Sequence, residues 1–235
     1  MRLLLGVDAY EESSICKYCG AVLDCKGIHA LSCMSGGDVL LRPNEVRDII
    51  YRFCQRARLR LELEKVGLPE EESILVNLRR PADVLMDLSG SRASEVRSAR
   101  VALDVKVING LGQDHLAASS VDGLGAAEAY REQQKEHLNT AALCSERGIA
   151  YEPIVFTAQG GIGRHTEAFL SRIAAAIASE EEISAAEAKS SLIQTISRSL
   201  ARSAAKAVAR RKPPTPTTSR SLSRALAEAH VMDVG

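Results

Sequence analysis

The stretch Val101-Ala102-Leu103-Asp104-Val105-Lys106-Val107 decides the fold reading. Its residues alternate with the two-residue period of a half-buried strand. Leu103, Val105 and Val107 share one face, and Asp104 and Lys106 share the other. Asp is depleted in strands, so Asp104 stands out among its apolar neighbours. A second strand-like run precedes it, Arg79-Arg80-Pro81-Ala82-Asp83-Val84-Leu85-Met86. If the two strands pair, Asp83 joins Asp104 and Lys106. Two carboxylates and an ammonium in one place are the minimum kit for metal-assisted phosphodiester hydrolysis. A plain half-exposed strand gives the same alternation, so these residues alone leave both readings open.

Elements on either side of the two runs complete a mixed α/β pattern with a small central sheet. Asn44 can cap a helix from Glu45 to Arg58, with Val46, Ile49, Ile50, Phe53 and Cys54 on one face. Arg60 to Glu64 alternates charge with Leu and reads as a strand, in which Glu64 is a weaker site candidate. Leu111 to Gly125 is rich in Gly, Ser and Asp and reads as a connection. Ala126 to Arg147 reads as one long helix ended by Gly148, and Ala150 to Thr157 as a strand. Helices follow from Thr166 to Ala178 and from Ser184 to Arg211. The second carries an apolar stripe of Ile193, Ile196, Leu200, Ala204 and Val208. Pro213-Pro214-Thr215-Pro216 ends it.

Cys16, Cys19, Cys25 and Cys33 cluster with His29 near the start of the chain. The spacing Cys16-x2-Cys19-x9-His29-x3-Cys33 suits one tetrahedral zinc ion. A closed set of four ligands makes such a site structural. Gly20 follows the second Cys, where a tight turn calls for positive φ. Cys25 is a spare that either replaces a ligand or packs, and Cys54 and Cys144 read as core residues. The alternative is a set of buried thiols beside a surface His.

The 235 residues include 30 basic and 30 acidic side chains, so net charge names no partner. Its distribution is more informative, because Lys189 to Lys212 contains Lys and Arg and no acid. Arg198, Arg202, Lys206 and Arg210 recur there at helical spacing. They are candidates for nucleic-acid contact, as are Arg79 and Arg80; a solvated helix face is the simpler reading. No run is long and apolar enough to span a bilayer, and an intracellular soluble protein, nuclear or cytoplasmic, is expected. Gly160-Gly161-x-Gly163 lacks the Lys-Ser/Thr ending of a phosphate loop. Residues 1–15 read as the end of something larger. The expected divisions are 1–36 for the stub and knuckle, 37–180 for the core, 181–212 for the basic helix and 213–235 for a tail.

Pro81-x-Asp83 followed by Asp104-x-Lys106 on the next strand resembles the PD-(D/E)xK nuclease signature. With the preceding Cys-Cys-His-Cys knuckle, the chain resembles the restriction-like endonuclease domain at the C-terminus of non-LTR retrotransposon polyproteins. Arg42-Pro43-Asn44, Arg80-Pro81-Ala82-Asp83, Leu103-Asp104-Val105-Lys106-Val107 and the helix around Lys135 carry the likeness. Pro43 stands where that family usually has His, and Ala82 splits the Pro-Asp pair. The resemblance implies a restriction-endonuclease-like αβββαβ core with an N-terminal zinc knuckle and C-terminal helices. It implies Mg²⁺ on Asp83 and Asp104, Lys106 as the catalytic Lys, and accessory roles for Lys135 and Glu45. Its implied partners are DNA, the element's RNA and a reverse transcriptase domain in the parent polyprotein. The implied reaction is the strand nick that primes reverse transcription. A catalytically inactive nucleic-acid-binding module and a zinc-stabilised protein-interaction domain are the rival expectations.

Overall fold

The computed structural model describes residues 6–63, 82–87 and 100–211. Glu64, Arg79, Arg80, Pro81 and the tail from residue 212 lie outside the described residues.

The described chain opens on a hairpin of β1 (Ser14–Ile15) and β2 (Val22–Leu23). Helices α1 (Ile28–Ser32) and α2 (Asp38–Arg56) follow. Strands β3 (Arg60–Leu63), β4 (Val84–Asp87) and β5 (Arg100–Ile108) then run antiparallel in sequence order. Helices α3 (Leu116–Val121), α4 (Gly125–Glu136) and α5 (Thr140–Ser145) lead to β6 (Ile149–Thr157), which pairs parallel to β5. Helices α6 (Arg164–Glu181) and α7 (Ala185–Arg211) close the described chain. The result is a mixed α/β protein whose main sheet has four strands in the order β3-β4-β5-β6. No helix of the described residues is long and apolar enough to cross a membrane.

The alternation in β5 builds two unlike faces. Leu103, Val105 and Val107 enter the main core with Ile154 and Phe156 of β6. Helices α2, α6 and α7 cover this face with Ile50, Phe53, Leu170, Ile173, Leu192 and Ile196. Fully burying each such side chain stabilises the fold by about 1.5–3 kcal/mol. The opposite face carries two small apolar clusters. One holds Leu85, Ala102, Cys144 and Ile149, with Tyr151 packed against it. The other holds Ile108, Ala126, Ala127 and Val155, with Tyr130 alongside. Along β5, Asp104 and Lys106 fall between Ala102 and Ile108, in the gap between these clusters.

Several boundaries differ from those expected. Helix α2 begins at Asp38 rather than after Asn44, with Gly37 in the left-handed region ahead of it. Pro43 is therefore inside the helix. It removes one intrahelical donor, the one that would otherwise reach the Val39 carbonyl. The single helix expected from Ala126 to Arg147 is broken, since Leu138 and Asn139 adopt φ of 53° and 58°. Asn accepts this conformation more readily than most residues, and α5 restarts after it. The connection after Leu111 contains α3. In α7 the buried stripe runs through Leu192, Ile196, Leu200, Ala204 and Ala207, while Ile193 and Val208 are half-buried. Helix α7 thus belongs to the main core.

Candidate functional site

Strand pairing brings the two acidic motifs together. Val84 lies opposite Leu103, so Asp83, one residue earlier, comes beside Asp104. The N–H of Asp83 donates to the Leu103 carbonyl at 2.8 Å. The N–H of Val105 donates back to Asp83 Oδ2 at 2.7 Å. Among the described residues Oδ1 of Asp83 has no hydrogen-bond partner. Burial, with help from the negative charge of Asp104, pushes the Asp83 carboxyl above the usual range. The Val105 N–H and the charges of Lys106 and Arg47 oppose this without cancelling it.

Asp104 is buried, and both its oxygens are engaged. Lys106 Nζ sits 2.9 Å from Oδ1, as the shared face of the strand requires. The Tyr151 hydroxyl donates to Oδ2 at 2.9 Å. Burial alone lowers the Lys106 ammonium, but the adjacent carboxylates outweigh it and hold the pKa above the ordinary lysine value. Tyr151 is pushed strongly upward by burial and by Asp104, so it remains a proton donor. Tyr151 was not foreseen as a site residue. The parallel register sets it beside Ala102, and only that pairing brings it to Asp104. Arg131 and Glu152 were not foreseen either. The nearly buried Arg131 bonds Glu152 from Nη2 at 2.9 Å, tying α4 to β6 beside this face.

Glu45 and Lys135 engage elsewhere. Ser203 and Ser199 of α7 donate to Glu45 Oε2 at 2.6 and 3.2 Å. The carboxylate therefore clasps α2 to α7. Lys135 pairs with Glu132 one turn away at 3.2 Å. Among the described residues no third carboxylate joins Asp83 and Asp104 in a metal-sized group.

The Cys/His segment does form such a group. The donor atoms of Cys16, Cys19, His29 and Cys33 all lie within 4.8 Å of one another. The Cys16 and Cys33 sulfurs are 3.9 Å apart, and Cys19 Sγ is 3.2 Å from His29 Nε2. A tetrahedral zinc site with Zn–S about 2.3 Å and Zn–N about 2.0 Å needs separations of about 3.5–3.8 Å. The four residues could thus hold a metal ion and are compatible with zinc. Burial raises the Cys16 thiol, but N–H groups of Tyr18 and Cys19 and the His29 ring outweigh it and bring it down to about 6. Gly20 has the expected positive φ, 74°. Asp24 accepts the N–H groups of Ile28 and His29 at 2.9 and 2.7 Å, which starts α1 and aims His29. Cys25 stands outside the group with its sulfur 3.4 Å from Ser13 Oγ. Cys54 and Cys144 are buried core residues.

This segment is locked onto the rest of the protein. Asn109, just beyond β5, donates to the Ile28 carbonyl at 3.0 Å and to Ser32 Oγ at 2.6 Å. The Tyr10 hydroxyl donates to the Val208 carbonyl at 2.8 Å. The fully buried Arg211 pairs with Asp38 at 2.6 Å and donates to the carbonyls of Cys33 and Ser35.

Of the foreseen basic residues, Arg198, Arg202 and Lys206 line a cleft between α2 and α7. Arg210 turns away to Asp38 at 2.8 Å and stacks near Tyr18. No family model matches the chain, and no curated protein matches it.

Proposed function

We propose that the chain is a metal-dependent DNA endonuclease domain with a restriction-endonuclease-like core and a zinc knuckle. The observation that carries this reading is the meeting of Asp83, Asp104 and Lys106 on adjacent strands. The order of helix, three antiparallel strands, helices and a parallel strand also supports it, because this is the αβββαβ order that the motifs imply.

Asp83 and Asp104 are the residues that would hold Mg²⁺, an ion satisfied by one or two carboxylates with waters retained. Asp83 fits this role because Oδ1 has no hydrogen-bond partner among the described residues and its buried carboxyl lies beside that of Asp104. When bound, the ion would neutralise phosphate charge and acidify a water. In hydrolysis a water oxygen bonds to phosphorus while an ester oxygen departs and takes a proton. Lys106 keeps its proton at neutral pH, so it serves as a fixed positive charge rather than a base. Tyr151 holds Oδ2 of Asp104, and Lys106 holds Oδ1. Cys16, Cys19, His29 and Cys33 would hold a structural zinc, and parentage in a retroelement polyprotein remains part of the proposal.

A second reading keeps DNA binding without cleavage. It is favoured by Asp104, whose oxygens are both occupied by Lys106 and Tyr151. The two readings separate in a plasmid assay. The nuclease converts supercoiled to nicked DNA only with added Mg²⁺, and Lys106→Met abolishes this while leaving DNA binding intact. Binding with no Mg²⁺-dependent nicking supports the second reading instead.

A further inference from the structure

We propose that the cleft between α2 and α7 is a second nucleic-acid contact, one that grips backbone phosphates apart from the acidic strands. The cleft measures about 370 Å³, within the usual range of ligand sites, about 300–1,000 Å³. Arg52 from α2 faces Arg198, Arg202 and Lys206 from α7, with Glu45 and Asp48 on the same walls. The acids neutralise these cations only in part. Glu45 is held by Ser199 and Ser203 and forms a long ion pair with Lys206 at 3.9 Å. Asp48 is taken by Arg47 at 2.7 Å. Among the described residues, Arg52 and Arg198 donate only to backbone carbonyls of their own helices, from Nε. Arg202 has no hydrogen-bond or ion-pair partner among the described residues.

Arg52, Arg198 and Arg202, without an ion-pair partner among the described residues, favour an anion in the cleft, and arginine forks suit phosphate oxygens in particular. The arrangement selects a linear polyanion over a single phosphate. Arg198, Arg202 and Lys206 recur every fourth residue, hence about 6 Å apart along the helix. A nucleic-acid strand likewise repeats its charge at regular intervals along its length. The choice of DNA as the polymer rests on the nuclease reading; the anion site itself rests on the cleft.

The test measures binding of a labelled DNA duplex by anisotropy across a salt series without added divalent ion, so that cleavage plays no part. Arg198→Ala/Arg202→Ala should weaken binding at least ten-fold at 50 mM salt and flatten the salt slope by about 2. Arg202→Glu should weaken it further. Lys26→Ala/Arg164→Ala removes two charges that already have partners outside the cleft, and should cost much less. Equal losses from the two double variants would overturn the proposal. Displacement of the duplex by inorganic phosphate, or by polyglutamate as effectively as by DNA, at fixed ionic strength would also overturn it. If the cleft variants lose binding while no variant cleaves DNA, the cleft stands and the nuclease reading falls.

Discussion

Asp83 reaches across from the edge of β4 and accepts the N–H of Val105 at 2.7 Å. Val105 is the residue between Asp104 and Lys106, so this one bond fixes the first acidic motif over the second. Its side chain enters the main core, which anchors the bond from the other face. The positions of three candidate catalytic groups thus depend on packing on the opposite side of the sheet.

Asp83→Asn should stabilise the metal-free protein at neutral pH. The folded carboxyl has a raised pKa, so its folded state favours the proton more than the unfolded chain does. Its contribution to stability is therefore fully present below the unfolded value, near 4, and is lost as pH rises through the folded one. Asn keeps an acceptor for Val105 without the charge. The gain should raise Tm at pH 7 and vanish below about pH 4. Thermal melts at the two pH values check this.

Tyr151→Phe should leave the fold intact and impair any Asp104-dependent activity. The lost bond goes to a buried carboxylate and is worth about 1.5–3 kcal/mol. A cleavage rate reduced about ten-fold or more, with a higher Mg²⁺ requirement, is the expected outcome. A rate that is unchanged at every Mg²⁺ concentration contradicts a positioning role.

Asp38→Ala should be far more damaging than Arg210→Ala. The first strands the fully buried Arg211 guanidinium, a loss of about 3–5 kcal/mol. The second removes a partly exposed partner from the same carboxylate, worth about 1 kcal/mol or less. Urea titrations of both variants measure the difference.

Cys33→Ser, or removal of metal by a chelator, should loosen the end of α7. Arg211 holds the Cys33 carbonyl, and Tyr10 holds that of Val208. Amide exchange should quicken around Ala204 to Arg211 as well as in the knuckle. Faster exchange confined to residues before Cys33 would mean that the knuckle and α7 are uncoupled.

The sequence made the acidic strands and the knuckle legible because each depends on local spacing. Asp104 and Lys106 share a face by the strand period alone, and Cys16-x2-Cys19 needs only one turn with Gly20. Features set by tertiary packing were hidden. Glu45 lies on a helix whose start was misplaced, and two serines a long way along the chain decide its direction. Arg210 belongs to the basic row by periodicity, yet Asp38 captures it. The break at Leu138 and Asn139 carries no Pro or Gly to announce it. Tyr151 became a site residue only through the register of β5 and β6.

The central claim is that Asp83, Asp104 and Lys106 form a phosphodiesterase site. Its most direct test is nicking of supercoiled plasmid by the purified chain with Mg²⁺, beside Asp104→Ala. The account expects Mg²⁺-dependent nicking by the unaltered chain and a loss of at least about 100-fold, some 2.7 kcal/mol of barrier, in the variant. Equal nicking by the two proteins, or none by either, would contradict it.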